Sequence, residues 1–223
     1  MIEIKNLNKI YLKGKKNMVH ALNNINLKID DRETVAIIGE SGAGKSTLLH
    51  IMSCIDNFDG EYYLDNIDIN KLSESKKSKL RSSKIGIVLQ DFALIDDFTV
   101  FENVMTPLYF NKKIKDKKGS VMRALKKTGI VSLKAKKVSQ LSGGQKQRVA
   151  ISRALVTSPE YIFADEPTGS LDSKTSEEIV KMLFDLNRNG ITIVIVTHNL
   201  EIGNQCHHII EIKDGNIIKD ICS

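Results

Sequence analysis

Prolines are scarce in this chain, three in 223 residues, and no internal repeat or low-complexity tract appears. With 41% hydrophobic and 27% charged residues, that scarcity excludes wholesale disorder and leaves enough apolar surface for a packed core. No stretch approaches the roughly 18 consecutive apolar residues that a membrane-spanning helix needs. The best run, Ile191 to Val196, has the length of a strand. The opening Met-Ile-Glu-Ile-Lys lacks the basic-then-apolar layout of a secretion signal, so the expected setting is the cytoplasm. Cysteines are few as well: Cys54, Cys206 and Cys222 are odd in number and unrelated in spacing. They argue against a disulfide framework and fit a reducing compartment. The run Cys206-His207-His208 is not expected to hold a metal ion, because consecutive residues on a strand point to opposite faces.

The 33 basic and 27 acidic residues leave a charge of +6, with much of the excess in Lys71 to Lys84, Lys112 to Lys118 and Lys126 to Lys137. Such runs usually form solvated faces or loops. No aromatic interleaving or recognition motif accompanies them, so nucleic acid is not an expected partner. The length suits one domain, or one domain carrying an inserted subdomain.

Over the first 30 residues apolar and polar positions alternate (Ile2, Ile4, Leu7; Ile25, Leu27, Ile29), the pattern of half-buried antiparallel strands, with Lys13-Gly14-Lys15-Lys16-Asn17 as the turn between them. Thr34 to Ile38 is apolar on both faces, as a buried parallel strand is. Leu48, Leu49 and Met52 then recur at helical spacing. From about residue 92 to 159 the periods are helical. Thr99 with Glu102 makes a capping box ahead of Val100, Val104 and Leu108, and two further helices follow, with no strand pattern between. Strand and helix alternate again from Tyr161. Thr175 with Glu178 is expected to open a helix carrying Ile179, Leu183 and Leu186. The whole reads as an α/β fold with a parallel-sheet core, an antiparallel edge sheet and an inserted helical subdomain.

Between the Thr34–Ile38 strand and the next helix lies Gly39-Glu40-Ser41-Gly42-Ala43-Gly44-Lys45-Ser46, a match to G-x-x-x-x-G-K-[ST] in its proper setting. Glycines let successive N–H groups face one centre, a concavity suited to phosphate oxygens, and the helix adds its positive end. Lys45 is placed to reach β- and γ-phosphates and Ser46 to ligate Mg²⁺. Taken alone, the pattern also fits an ordinary glycine-rich turn. Tyr161 to Glu166 puts two carboxylates at the C-terminal end of an apolar strand, the edge where open α/β sheets bind ligands. Asp165 suits Mg²⁺, and Glu166 suits the orienting or deprotonation of an attacking water. Leu141-Ser142-Gly143-Gly144-Gln145 is a second anion-type turn, with Ser142 as helix cap and glycines permitting close backbone approach.

At this point the chain resembles the ATP-binding cassette (ABC) family, over nearly its whole length. Gly39 to Thr47 looks like the Walker A loop of that P-loop NTPase fold, and Tyr161 to Glu166 like Walker B. Leu141 to Gln145 looks like the signature motif, Gln90 the Q-loop glutamine, Ser170-Leu171-Asp172 the D-loop and His198 the switch histidine. Tyr11 stands where the family stacks an aromatic on adenine. The resemblance implies ATP and Mg²⁺ as cofactors, with Ser46, Gln90 and Asp165 around the metal and Lys45, Glu166, His198 and Gln90 serving catalysis. It also implies a head-to-tail homodimer in which each ATP lies between Gly39 to Thr47 of one copy and Ser142, Gly143, Gly144 and Gln145 of the other. Lone residues of these types are more often surface or structural; their order and spacing promote them here. Asn199 departs from the family's frequent Asp, with little effect expected.

No fused membrane domain is read after the strand pattern at Ile209 to Ile218, so a separate permease is expected, the ATPase lying peripherally on the inner membrane face. Phe92 to Phe101 is the expected contact. The wording of Gly86 to Phe92 and Ala164 to Thr175 resembles the branch serving lipoprotein release, macrolide export and antimicrobial-peptide export. The leading expectation is an ATPase driving export of, or resistance to, antimicrobial peptides, lipopeptides or hydrophobic drugs. The alternative in the same branch couples ATP to a cell-division membrane protein and moves no solute. A soluble ATPase of nucleic acid or ribosomes usually has two cassettes or a long coiled-coil insertion, and neither occurs. Lys45, Asp165, Glu166 and His198 argue against a non-hydrolysing module.

Overall fold

The apolar alternation of the first 30 residues folds into two antiparallel strands, β1 (Ile2–Tyr11) and β2 (Val19–Ile29), with Ile2 opposite Ile29, Ile4 opposite Leu27 and Leu7 opposite Ile25. The computed structural model describes residues 1–12, 14, 15, 17–111 and 113–222. Lys13 and Lys16 of the expected turn, and Lys112 of the second lysine-rich run, lie outside the described residues. Next come β3 (Thr34–Ile38), buried at every position, and α1 (Lys45–Met52). β4 (Asp59–Leu64) and β5 (Ile67–Asp68) then return to β1 and complete a four-stranded sheet in the order β2-β1-β4-β5.

A second, six-stranded sheet forms the centre. α2 (Glu74–Lys84) leads into β6 (Ile85–Val88), and α3 (Val100–Phe110), α4 (Lys117–Lys127) and α5 (Gly143–Leu155) intervene before β7 (Tyr161–Asp165). α6 (Ser173–Arg188), β8 (Thr192–Val196), the short α7 (Leu200–Gly203), β9 (His208–Lys213) and β10 (Asn216–Cys222) close the chain. The order is β10-β9-β3-β8-β7-β6, parallel except for β10 at the edge.

Strict alternation explains how this sheet serves two cores at once. Tyr161 and Phe163 of β7, with Val194 and Val196 of β8, pack against α1 and the antiparallel sheet. Ile162, Ala164, Ile193 and Ile195 point the other way, into a cluster built from α3, α4, α5 and α6. Strands buried on both faces read as unbroken apolar runs for this reason.

Some local expectations need correction. α6 is not opened by Thr175 and Glu178: Asp172 is its cap, accepting from the Thr175 N–H at 3.0 Å, and Glu178 instead accepts from Arg148 Nη2 at 2.7 Å. The basic run at Lys71 to Lys84 is mostly a helix, α2, with Lys77 and Leu80 buried. The buried Lys77 keeps its ammonium paired, with Glu74 Oε1 at 3.2 Å and Asn57 Oδ1 at 3.3 Å. The expected capping box at Thr99 and Glu102 is present in full.

Candidate nucleotide site

At its two narrowest points the loop between β3 and α1 has room only for glycine. A Cβ on Gly39 (φ 148°) would collide with the Ile212 carbonyl. One on Gly44 (φ 105°) would meet Leu22 Cδ2 at 2.9 Å as well as the Ala21 carbonyl. Gly44 caps α1 without any side-chain hydrogen bond, so the leading N–H groups of the helix are left for a ligand. Lys45, 8% exposed, donates from Nζ to the carbonyls of Gly39 (2.8 Å) and Glu40 (2.7 Å), closing the loop around its own ammonium.

Across the cleft, β7 ends in the carboxylates. Ser46 Oγ donates to Asp165 Oδ1 at 3.1 Å. Burial pushes the Asp165 carboxyl above its ordinary range, offset in part by that hydrogen bond and by the Lys45 and His50 charges. A hydroxyl and a carboxylate oxygen side by side, with the Gln90 amide lining the same cleft, form an oxygen-rich donor set of the kind Mg²⁺ takes. Glu166 follows in the left-handed region (φ 44°), its N–H donating to the Val196 carbonyl at 2.9 Å. Such a conformation in a residue with a side chain costs energy that the surrounding bonds must hold. His198 Nδ1 lies 2.9 Å from Glu166 Oε1. Its placement comes from Thr197, whose N–H donates to Ile37 and ties the exit of β8 to β3.

These groups share one cleft of about 800 Å³, lined by Tyr11, Ser41, Gly42, Gly44, Lys45, Ser46, Thr47, Gln90, Asp165, Glu166 and His198. Gly39 and Ala43 stand behind it, Ala43 packed in the core, and Glu40 contributes its carbonyl to Lys45. Val19, His20, Asp214 and Gly215 also line the cleft and were not anticipated. Asp-Gly signals the β9–β10 turn, yet nothing local says that this turn reaches the loop; Gly215 N–H does so by donating to the Ala43 carbonyl at 3.0 Å.

Ser142, Gly143, Gly144 and Gln145 are absent from the cleft lining. Ser142 and Gln145 cap α5 reciprocally, Ser142 N–H to Gln145 Oε1 at 3.2 Å and Gln145 N–H to Ser142 Oγ at 3.4 Å. A Cβ on Gly144 would strike Thr175 Cγ2, so α5 and α6 meet closely at this point. Of the Cys206-His207-His208 run only His208 belongs to a strand, so alternation does not govern it; its members still take separate partners, His207 Nδ1 lying 2.7 Å from Thr34 Oγ1 and His208 Nε2 2.5 Å from Asp220 Oδ1. His208, Asp220 and Cys222 group together, with the histidine bonded directly to the aspartate.

A family model described as ABC transporter matches residues 22–169. Over 222 residues the chain is 44% identical to the macrolide export ATP-binding/permease protein MacB of Mannheimia succiniciproducens, spanning 99% of this chain and 34% of that protein. It is also 44% identical over 227 residues to the ABC transporter ATP-binding protein MJ0796 of Methanocaldococcus jannaschii, covering 99% and 96% of the two. A dimeric structure of the MJ0796 cassette in a post-hydrolysis state, bound to ADP and Pi, matches this fold with a TM-score of 0.91 at 41% identity, over 100% of this chain and 98% of that one. By family and by fold, this chain belongs to the ABC transporters, as their ATP-binding and ATP-hydrolysing cassette.

Proposed function

We propose that two copies of this chain close head to tail around two ATP molecules and drive a separate membrane permease. The observation that carries this reading is the division of the anion-binding turns. Lys45, Ser46, Asp165, Glu166 and His198 converge in one cleft, whereas Ser142 to Gln145 of the same chain lies outside it. A two-fold pair brings each signature turn over its mate's cleft and makes two equivalent sites. The MJ0796 cassette, to which this chain is similar, is itself solved as a dimer.

In the closed pair, the loop N–H groups and Lys45 hold the β- and γ-phosphates. Ser46, Asp165 and Gln90 would hold Mg²⁺, which would supply positive charge to neutralise the phosphates. Glu166 aligns a water in line with the γ-phosphorus and takes its proton as the bond to the β-phosphate oxygen breaks. His198, now paired with Glu166, turns to the γ-phosphate. Tyr11 receives the adenine. Loss of the γ-phosphate removes the bridge between the copies, and the pair opens.

The permease contact is assigned to residues 92–101, where Ile95 and Phe98 are exposed and the Phe92 carbonyl is held by Arg153 Nη2 at 2.8 Å. Among the described residues no helix is long and apolar enough to cross a membrane. In this reading attachment to the inner face comes through the permease. The macrolide export named for the MacB relative supports export of hydrophobic drugs as the work done, and the same proposal extends to resistance and to antimicrobial peptides and lipopeptides on the wording of Gly86 to Phe92 and Ala164 to Thr175. Sedimentation of Glu166→Gln tests the core of the proposal. A dimer with MgATP and a monomer without it is expected; a monomer under both conditions overturns it.

A further inference from the structure

Tyr11 ends β1 at the rim of the cleft. Its hydroxyl meets Thr47 in the first turn of α1, and two further neighbours with no part in phosphate chemistry fix its ring. Lys9 and Tyr11, two apart on a strand, share a face. The Lys9 ammonium lies 4.8 Å from the ring centroid, inside cation–π range. The same Nζ donates to the Asn57 carbonyl at 2.6 Å, which anchors the ammonium. Next to Asn57, Asp56 Oδ2 accepts from the Tyr11 hydroxyl at 2.8 Å.

Asp56 and Asn57 lie in the segment just after α1, the helix whose first turn borders the phosphate loop. The ring is therefore gripped from the far end of the element that carries Lys45 and Ser46. Tyr11 lines the cleft and Lys9 does not, while the ammonium covers one ring face. Val19, the cross-strand partner of Tyr11, is 55% exposed and extends the apolar wall beside it. A free surface tyrosine would lose rotamer entropy on stacking with a ligand; one tied at its hydroxyl and across one face has lost it already.

We infer that Lys9 and Asp56 are positioning residues that hold Tyr11 flat as a pre-set stacking platform for the base, at a spacing from the phosphate loop that α1 sets. The inference rests on the proposed role of Tyr11 toward adenine. Calorimetric titration of MgATP and of magnesium tripolyphosphate, which has no base, tests both levels. Lys9→Met and Asp56→Asn are each expected to weaken ATP about three- to tenfold, with tripolyphosphate unchanged and the loss falling on KM rather than kcat. Lys9→Arg, which keeps the cation over the ring, restores ATP affinity. Equal weakening of both ligands means that the segment merely supports α1 and overturns the inference. So does an unchanged ATP affinity in Lys9→Met and Asp56→Asn while Tyr11→Ala loses it. An unchanged affinity in Tyr11→Ala removes the platform itself, and the positioning role with it.

Discussion

The loop at Gly39 to Ser46 and the turn at Ser142 to Gln145 are both glycine-bearing helix starts, and they are finished very differently. The first is wired into its surroundings: Lys45 to two carbonyls, Ser46 to Asp165, and Ala43 to Gly215 across the fold. The second is satisfied by a capping box between its own residues and by close packing on α6. The first borders a cleft with a carboxylate held at a cost. The other is a finished, low-energy surface. A helix start that faces outward with its caps satisfied suits contact with another molecule, and the loop with charge stored around it suits chemistry.

The contrast breaks most completely at Glu166 and Lys45. Glu166→Gln is expected to lower phosphate release by about 10² to 10⁴ while MgATP binding persists, because only proton transfer is removed. Lys45→Ala abolishes turnover through lost phosphate contact. If Glu166→Gln kept turnover near wild type, the cleft would need another base. Next in size, Gly144→Val drives a side chain against Thr175. It should cut turnover at least tenfold with ATP affinity of the monomer intact, an effect on transition-state stabilisation of about 1.4 kcal/mol or more. Mixing Gly144→Val with Lys45→Ala should restore part of the rate, since one heterodimer site is then whole; no recovery on mixing counts against sites shared between copies.

A smaller effect concerns stability. Burial raises the Asp165 carboxyl, so folding disfavours its ionised form. The cost is absent below the unfolded carboxyl's range near pH 3.9 and complete above the raised folded value. Asp165→Asn should therefore melt higher than wild type at pH 7 without nucleotide, the gap closing as pH falls toward 4, although turnover is lost. A lower melting point at pH 7 would show that the carboxylate stabilises its surroundings. The smallest effect expected is at Arg148, which donates to the Thr128 carbonyl (2.9 Å) and to Glu178 (2.7 Å) and so ties α5 to its neighbours. Arg148→Met should cost roughly 1 kcal/mol in denaturant unfolding, since the Arg148–Glu178 half of the tie is partly solvated.

Legibility in the sequence followed the range of the forces involved. β3, β7 and β8 were readable because strands buried on both faces leave nothing polar to confuse the pattern. Thr99–Glu102 was readable because a capping box is complete within four residues. β4, β5 and α2 were not. Their apolar content is low, and β4 is held in place by pairing with β1, more than fifty residues earlier in the chain. The sequence pattern puts this helix start three residues past Asp172 because Thr175 with Glu178 imitates a capping box, while Glu178 is engaged by Arg148 from another helix.

The residue types of the phosphate loop, the paired carboxylates and the signature turn are matters of short spacing, and the sequence alone determined them, along with the alternation of strand and helix. Distance in space was decided only by the tertiary structure. It brought the β9–β10 turn against the loop, set Lys9 and Asp56 about Tyr11, paired His198 with Glu166 and kept Ser142 to Gln145 out of the cleft. Local spacing specifies which groups a segment can offer. Which groups meet depends on sheet order and on the packing of two cores against one sheet, and those are properties of the whole chain.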